Sequence, residues 1–204
     1  MNSPFEENTT PQDDALSKVK KEEHPLTEIV RFSLIAILIV VPVRMFIAQP
    51  FIVSGASMEE TFQSGEYLIV DQLSYHFEAP ARGEVIIFKY PKDPSKYFIK
   101  RVIGLPGETI EIIDGEVIIK NDANPDGFTL SEPYIEPMPL VAPMRETLGS
   151  GEYFVMGDNR PESSDSRSWG VLQEEKIIGR AFLRLFPPTA LEIFPGNASD
   201  QFIN

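Results

Sequence analysis

Thr109-Ile110-Glu111-Ile112-Ile113-Asp114-Gly115-Glu116-Val117-Ile118-Ile119-Lys120 decides the fold class. Two β-branched runs flank an Asp-Gly link, and such a link closes an antiparallel hairpin through a type I′ turn whose central residues both take positive φ. The stretch therefore predicts strands over Thr109–Ile113 and Glu116 to Lys120, locked in one register.

Runs of the same kind recur outward from it, at Tyr67 to Val70, Glu84 to Tyr90, Tyr97 to Ile103, Tyr153 to Met156 and Ile177 to Phe186. Short β-branched and aromatic runs separated by turn residues mark a mostly β, antiparallel domain. Pro125, Pro133, Pro137, Pro139 and Pro143 interrupt the pattern over about 121–145, because proline removes a ladder donor. That segment is expected to leave the core as a Pro-rich excursion without regular pairing.

Upstream the composition changes twice. Residues 1–27 are polar, contain Pro11 and Pro25, and mix acidic with basic clusters, which predicts a disordered tail. Phe32 to Val43 is then apolar but for Ser33, and Arg31 and Arg44 bound it. A bilayer core takes ~20 helical residues, and arginines at the ends snorkel toward the head groups, so Ile29 to Ala48 reads as one membrane-spanning helix within an anchor over 28–50. A cleaved secretory signal carries an apolar stretch of similar length. Against it stand the long acidic leader and Phe46, which falls where a cut after Ala48 requires a small residue. Lys18, Lys20, Lys21 and Arg31 lie upstream, and the next arginine or lysine after Arg44 is Arg82, so the tail is read as cytoplasmic and 51–204 as an extracytoplasmic domain.

The formal net charge of −13 over 204 residues excludes the basic face that a nucleic-acid partner requires. The chain has no cysteine, hence no disulfide framework and no thiolate metal site. Asp122-Ala123-Asn124-Pro125-Asp126-Gly127 imitates the opening of a calcium loop, but Pro133 occupies the twelfth position, and no metal is assigned.

Chemistry points to a serine and a lysine. A serine acts as a nucleophile only when a base removes its proton. Of the two histidines, His24 lies upstream of the anchor and His76, between Tyr75 and Phe77, has nothing to orient it. Lysine is the remaining base. Alternation along Tyr97 to Ile103 puts Phe98, Lys100 and Val102 on one face and Ile99, Arg101 and Ile103 on the other, so Lys100 emerges among apolar neighbours. A free lysine titrates near ~10.4, and burial lowers that value by disfavouring the ammonium. Alternation alone leaves open a strand lysine that keeps its head in water, and Ser54-Gly55-Ala56-Ser57-Met58 alone leaves open an ordinary turn.

Motif order decides between these. Ser54-Gly55-Ala56-Ser57-Met58-x-x-Thr61 just past the apolar segment is followed by Arg82-Gly83-Glu84-Val85-Ile86-Ile87-Phe88. Ile99-Lys100-Arg101-Val102-Ile103-Gly104-Leu105-Pro106-Gly107, Gly157-Asp158-Asn159-Arg160 and Ser163-x-Asp165-Ser166-Arg167 come next. This arrangement resembles the bacterial type I signal peptidases over nearly all of Arg44 to Arg180. The resemblance implies a signal-peptidase/LexA-like β fold on one transmembrane helix in the bacterial plasma membrane, and a serine endopeptidase that removes signal peptides from exported preproteins without metal or cofactor. It implies Ser57 as nucleophile, Lys100 as general base, Ser163 as the hydroxyl that orients the lysine, and Asp165 and Arg167 as a bracing pair, with Arg101 paired to Asp165. The Ser57 backbone N–H would serve the oxyanion. Gly55 stands where some members carry a second serine donor, which leaves Ser54 as the candidate side-chain donor. Phe51, Val53, Met58, Phe62, Phe98 and Ile99 match positions lining the substrate pockets, which would select small residues at the first and third positions before the cut. The partners so implied are such preproteins and the lipid bilayer. The alternatives are a maturase for one dedicated substrate and a catalytically silent module that binds signal sequences.

Overall fold

The computed structural model describes residues 25–135 and 142–199. The tail, except for its last residues, and Pro137 and Pro139 lie outside the described residues. Pro25–Pro42 form an α-helix, α1, apolar on all sides from Leu34 onward with no residue buried, and it is long and apolar enough to cross a membrane. At ~1.5 Å per residue its 18 residues extend for about 27 Å. The helix ends earlier than the expected Ala48. Pro42 has no N–H with which to continue the ladder, and the chain passes through a π turn, Val43–Ile47, closed by the Ala48 N–H on the Val43 carbonyl. Ala48 already begins the first strand, and the bias of Gln49, which precedes Pro50, toward extended backbone favours that change. Ala48, Gln49 and Pro50 thus belong to a strand.

The chain divides after Ile39, and the unit from Val40 onward is mostly antiparallel β. Its strands are β1 (Ala48–Ile52), β2 (Tyr67–Asp71), β3 (Val85–Lys89), β4 (Tyr97–Gly104), β5 (Thr109–Ile113), β6 (Glu116–Asn121), β7 (Asn124–Thr129), β8 (Met144–Thr147), β9 (Glu152–Met156), β10 (Leu172–Gln173), β11 (Ile177–Phe186) and β12 (Glu192–Ile193). One sheet runs β1-β2-β11-β3-β4-β9-β10, with β12 on β11; a second runs β7-β6-β5-β8. The hairpin at the centre of the second sheet forms as the sequence predicts. Ile113 faces Glu116, and φ is +52° at Asp114 and +87° at Gly115.

The Pro-rich stretch is more regular than expected. Asn124–Thr129 pairs with β6 and Met144–Thr147 with β5, as the two outer strands of this sheet. Pro125 is tolerated because an edge strand needs donors on one side only, and the register slips between Ile119 and Asn121 beside it.

Apolar side chains collect in separate clusters. Ile103, Ile110, Ile112, Val117, Ile119, Phe154 and Met156 fill one under the second sheet, while Val53, Met58, Phe62, Leu68, Val70, Val85 and Ile87 fill another under β1 and β2. Each such side chain contributes about 1.5–3 kcal/mol by leaving water. Arginine–carboxylate pairs tie distant segments together around them. Arg184 reaches Glu66 at 3.0 Å across 118 residues, and Arg180 meets Asp71 at 3.3 Å and Glu84 at 3.1 Å.

Gly115→Ala forces a Cβ into the left-handed region and is expected to cost about 1–2 kcal/mol, read as a lowered urea midpoint with unchanged slope.

Candidate active site

Ser57 sits on a single turn that leaves β1, and Lys100 sits on β4 opposite Ile86 of β3. The strand carries the lysine inward, where it is 3% exposed. Its Nζ donates to Ser57 Oγ at 2.6 Å and to the Ile99 carbonyl at 2.8 Å. Burial pulls the amine down to about 8, against the opposing pull of the Asp165 and Asp158 carboxylates. Near neutral pH a usable fraction of the amine is therefore unprotonated, and its lone pair then faces the Ser57 hydroxyl. The Ser57 N–H has no hydrogen-bond partner among the described residues.

Behind this pair the chain brings together β9 and the loop after it. Gly157 follows β9 directly, and a methyl group there would collide with the Ser57 carbonyl and Ser163 Oγ, so only glycine lets the two segments approach this closely. The Asn159 N–H donates to the Ser57 carbonyl at 3.2 Å. Asp165 is fully buried and caps the short helix α2 (Ser166–Trp169). Burial pushes its carboxyl up, but Arg167 at 2.8 Å, Ser163 and the Gly157 N–H together hold it below the usual carboxylate range. The Ser163 hydroxyl lies near enough to Asp165 to lower that value, yet has no partner of good hydrogen-bond geometry, and Lys100 is not among its partners.

Arg101 does not pair with Asp165. It faces Met156 across the β4–β9 ladder, which sets its guanidinium beside the residues that follow β9, and it holds Asp158 at 2.8 Å through Nε and 2.5 Å through Nη2. Asp165 is already occupied by Arg167. Arg101 also donates to the Gly83 carbonyl at 2.8 Å and lies 4.0 Å from the Tyr134 ring centroid. The sequence offered Asp158 only as part of an ordered motif, with no partner assigned. The available signal was that a buried arginine on the face opposite Lys100 needs a carboxylate, and motif order offered two.

A cavity of about 470 Å³ opens at Ser57 and Lys100 between β1 and the first half of β4. Phe51, Val53, Phe98 and Ile99 line it, as does Tyr97, whose ring meets Phe51 edge-on at 5.3 Å and links the two walls. Ser54 and Gly55 lie at its lip, and φ of +98° at Gly55 suits glycine rather than a second serine. Met58 and Phe62 do not reach the cavity. They are 1% and 0% exposed, in the cluster beneath β1 and β2. The sequence identified them as apolar and close to Ser57 but had no means of telling a wall from the core under it.

β1 is the terminal strand of its sheet, and β9 pairs with β4 only from Arg101 onward. Both rims of the cavity therefore carry backbone groups without a ladder partner, the arrangement that receives an extended peptide.

A family described as signal peptidase, peptidase S26, matches residues 26–186. The chain is 38% identical over 161 residues to a probable signal peptidase I-1 of Synechocystis sp., covering 76% of this chain and 79% of that protein. It is 35% identical over 190 residues to signal peptidase I of Leptolyngbya laminosa, covering 89% and 90%. A solved signal peptidase I from Enterococcus faecalis is 32% identical, covers 50% of this chain and 97% of that one, and superposes with a TM-score of 0.43. The protein is thus a serine peptidase, a hydrolase on a mostly antiparallel β scaffold. The chain belongs to the S26 signal peptidase family.

Phe62→Ala, as a core truncation, is expected to lower unfolding free energy by about 3–5 kcal/mol, measured by denaturant titration of the full chain.

Proposed function

We propose that the protein removes N-terminal signal peptides from exported preproteins, with Ser57 as nucleophile and Lys100 as general base. The observation that carries this reading is the 2.6 Å contact between a buried, pKa-lowered amine and the Ser57 hydroxyl at the floor of an apolar cavity. Neutral Lys100 takes the Oγ proton as Oγ attacks the carbonyl of the last signal-peptide residue. The lysine then gives that proton to the departing amine of the mature protein, leaving an acyl-enzyme. Lys100, neutral again, takes a proton from water as that water attacks the ester, and returns it to Ser57 Oγ as the acyl–oxygen bond breaks and the signal peptide leaves with its new carboxyl end. The unpartnered Ser57 N–H faces the developing oxyanion, with Ser54 as the second donor. Arg101, Asp158, Asp165 and Arg167 hold the frame around the lysine.

Phe51, Val53, Phe98 and Ile99 set the specificity. An extended peptide placed between the rims alternates its side chains, so the first and third residues before the cut face the wall, and on this reading both are small. α1 anchors the chain in the plasma membrane as a single pass, with the tail in the cytoplasm and the catalytic unit outside, in line with the lysines of the tail. Anchor and substrate then share one plane, which raises their effective concentration.

Cleavage of a precursor bearing Ala at its first and third positions before the cut, in detergent, tests the reading. Ser57→Ala and Lys100→Met are each expected to lose on the order of 10³-fold or more in kcat with the fold intact; full activity in either overturns it. The wild type is expected to gain activity as pH rises, along one limb with a midpoint near 8, since the base is blocked while protonated. A rate flat from pH ~6 to ~10 counts against a lysine base.

A further inference from the structure

The family match ends at Phe186, yet the chain beyond it returns to the back of the catalytic centre. The Phe194 N–H donates to the Phe182 carbonyl at 2.7 Å, and the two rings meet edge-on at 5.3 Å. Four residues later the Ala198 N–H donates to the Gly83 carbonyl at 3.2 Å. Between these anchors Gly196 takes φ of +68°, and its carbonyl accepts a hydrogen bond from Arg101 Nη1. That arginine is the one that grips Asp158, and its side chain and that of Asp158 are each 1% exposed.

Asp158 Oδ2 has a further partner, the hydroxyl of Thr61 at 2.5 Å. Thr61 closes the turn on which Ser57 sits, and its N–H donates to the Met58 carbonyl at 3.1 Å. A chain of polar contacts, buried at Arg101 and Asp158 and partly buried at its two ends, therefore runs from Gly196 through Arg101 and Asp158 to Thr61, and ends on the nucleophile's own turn. Gly196 also touches that turn sterically, because a Cβ there would collide with Thr61 Cγ2 and press on the Phe62 ring.

We infer that Thr61 and Gly196 are positioning residues, through which the C-terminal segment 194–198 holds the Ser57 turn in register with Lys100. A reactive pair set at hydrogen-bond distance tolerates little drift, and a displacement of ~1 Å costs on the order of 10²-fold in rate. Among the described residues the turn is also held by the Asn159 N–H on the Ser57 carbonyl and by Arg184 on the Thr61 carbonyl at 3.1 Å, but it is the Thr61 hydroxyl that links it to the Asp158–Arg101 pair. The charge of Asp158 acts on Lys100 whether or not Thr61 is bound to it, so removal of the Thr61 hydroxyl acts on geometry and leaves the charge around the base in place.

This inference rests on the reading of Ser57 as nucleophile, and its test uses two reactions of the full chain in detergent: cleavage of the Ala-bearing precursor and acylation of Ser57 by a small serine-directed acylating probe. Thr61→Val is expected to lower kcat and the acylation rate by about 10-fold to 100-fold, with KM within about two-fold and the midpoint of the pH limb unmoved. Thr61→Ser, which restores the hydroxyl, is expected to recover most of the rate, and Gly196→Ala to reproduce the loss. Rates per folded molecule that stay at the wild-type value in Thr61→Val overturn the inference. So does a loss that only follows a lowered Tm, or a moved pH midpoint, which would assign Thr61 to tuning the base. Where Gly196→Ala does not fold, Thr61→Val decides. A wild type that is acylated but leaves every precursor intact overturns the signal-peptide reading alone, and the acylation rates still decide the role of Thr61.

Discussion

An amine kept partly unprotonated beside two carboxylates is the constraint around which the site is arranged. Burial lowers the Lys100 pKa, and Asp165 and Asp158 oppose it. Left bare, either carboxylate in a low-dielectric interior would favour the ammonium strongly. Each is neutralised by its own guanidinium instead, Asp158 by Arg101 and Asp165 by Arg167, so the lysine meets two ion pairs rather than two free anions. Buried pairs of this kind are weak stabilisers in net terms, but removal of one partner leaves an uncompensated charge that costs several kcal/mol. They are better understood as electrostatic insulation for the lysine than as cement.

Backbone geometry supplies the rest. The β3–β4 ladder fixes Lys100, the β4–β9 ladder fixes Arg101, and Gly157 lets the loop after β9 press against the Ser57 carbonyl. A one-residue slip of β4 would exchange the faces of Lys100 and Arg101 and place the guanidinium at the serine. Register, set by sheets whose apolar faces fill separate clusters, is thus what the chemistry depends on.

The sequence revealed most where local sterics admit one answer. Asp114-Gly115 specified a turn, its type and the register of two strands, because few conformations take positive φ twice in succession. The apolar span was equally plain. Ser57 and Lys100 were singled out only by motif order and the resemblance it carries, since the turn and the strand alternation each left an ordinary reading open. What stayed hidden was set by contacts between distant segments. Arg101 and Asp158 are 57 residues apart, and nothing local separates Asp158 from Asp165 as a partner. Met58 and Phe62 have the composition of a pocket wall and the burial of a core. The end of α1 was missed because two prolines, Pro42 and Pro50, act together with the sheet that receives Ala48. The strands on either side of the Pro-rich stretch were missed because an edge strand asks for only half of the ladder.

With no cysteine in the chain, long-range closure falls to the arginine–carboxylate pairs, Arg184 to Glu66 and Arg180 to Asp71 and Glu84 among them. Such clasps are blind to the thiol–disulfide balance of the surroundings. Burial raises the Asp71 carboxyl, but Ser74 and Arg180 bring it below its ordinary value, and Asp165 is likewise lowered. Carboxylates depressed in the folded state stabilise it above the unfolded pKa of ~3.9 and lose that contribution as pH falls through the lowered folded values. The fold is therefore indifferent to reductants, and the pairs made by Asp71 and Asp165 lose their carboxylate charge only in acid well below the pH at which the lysine has already taken up its proton.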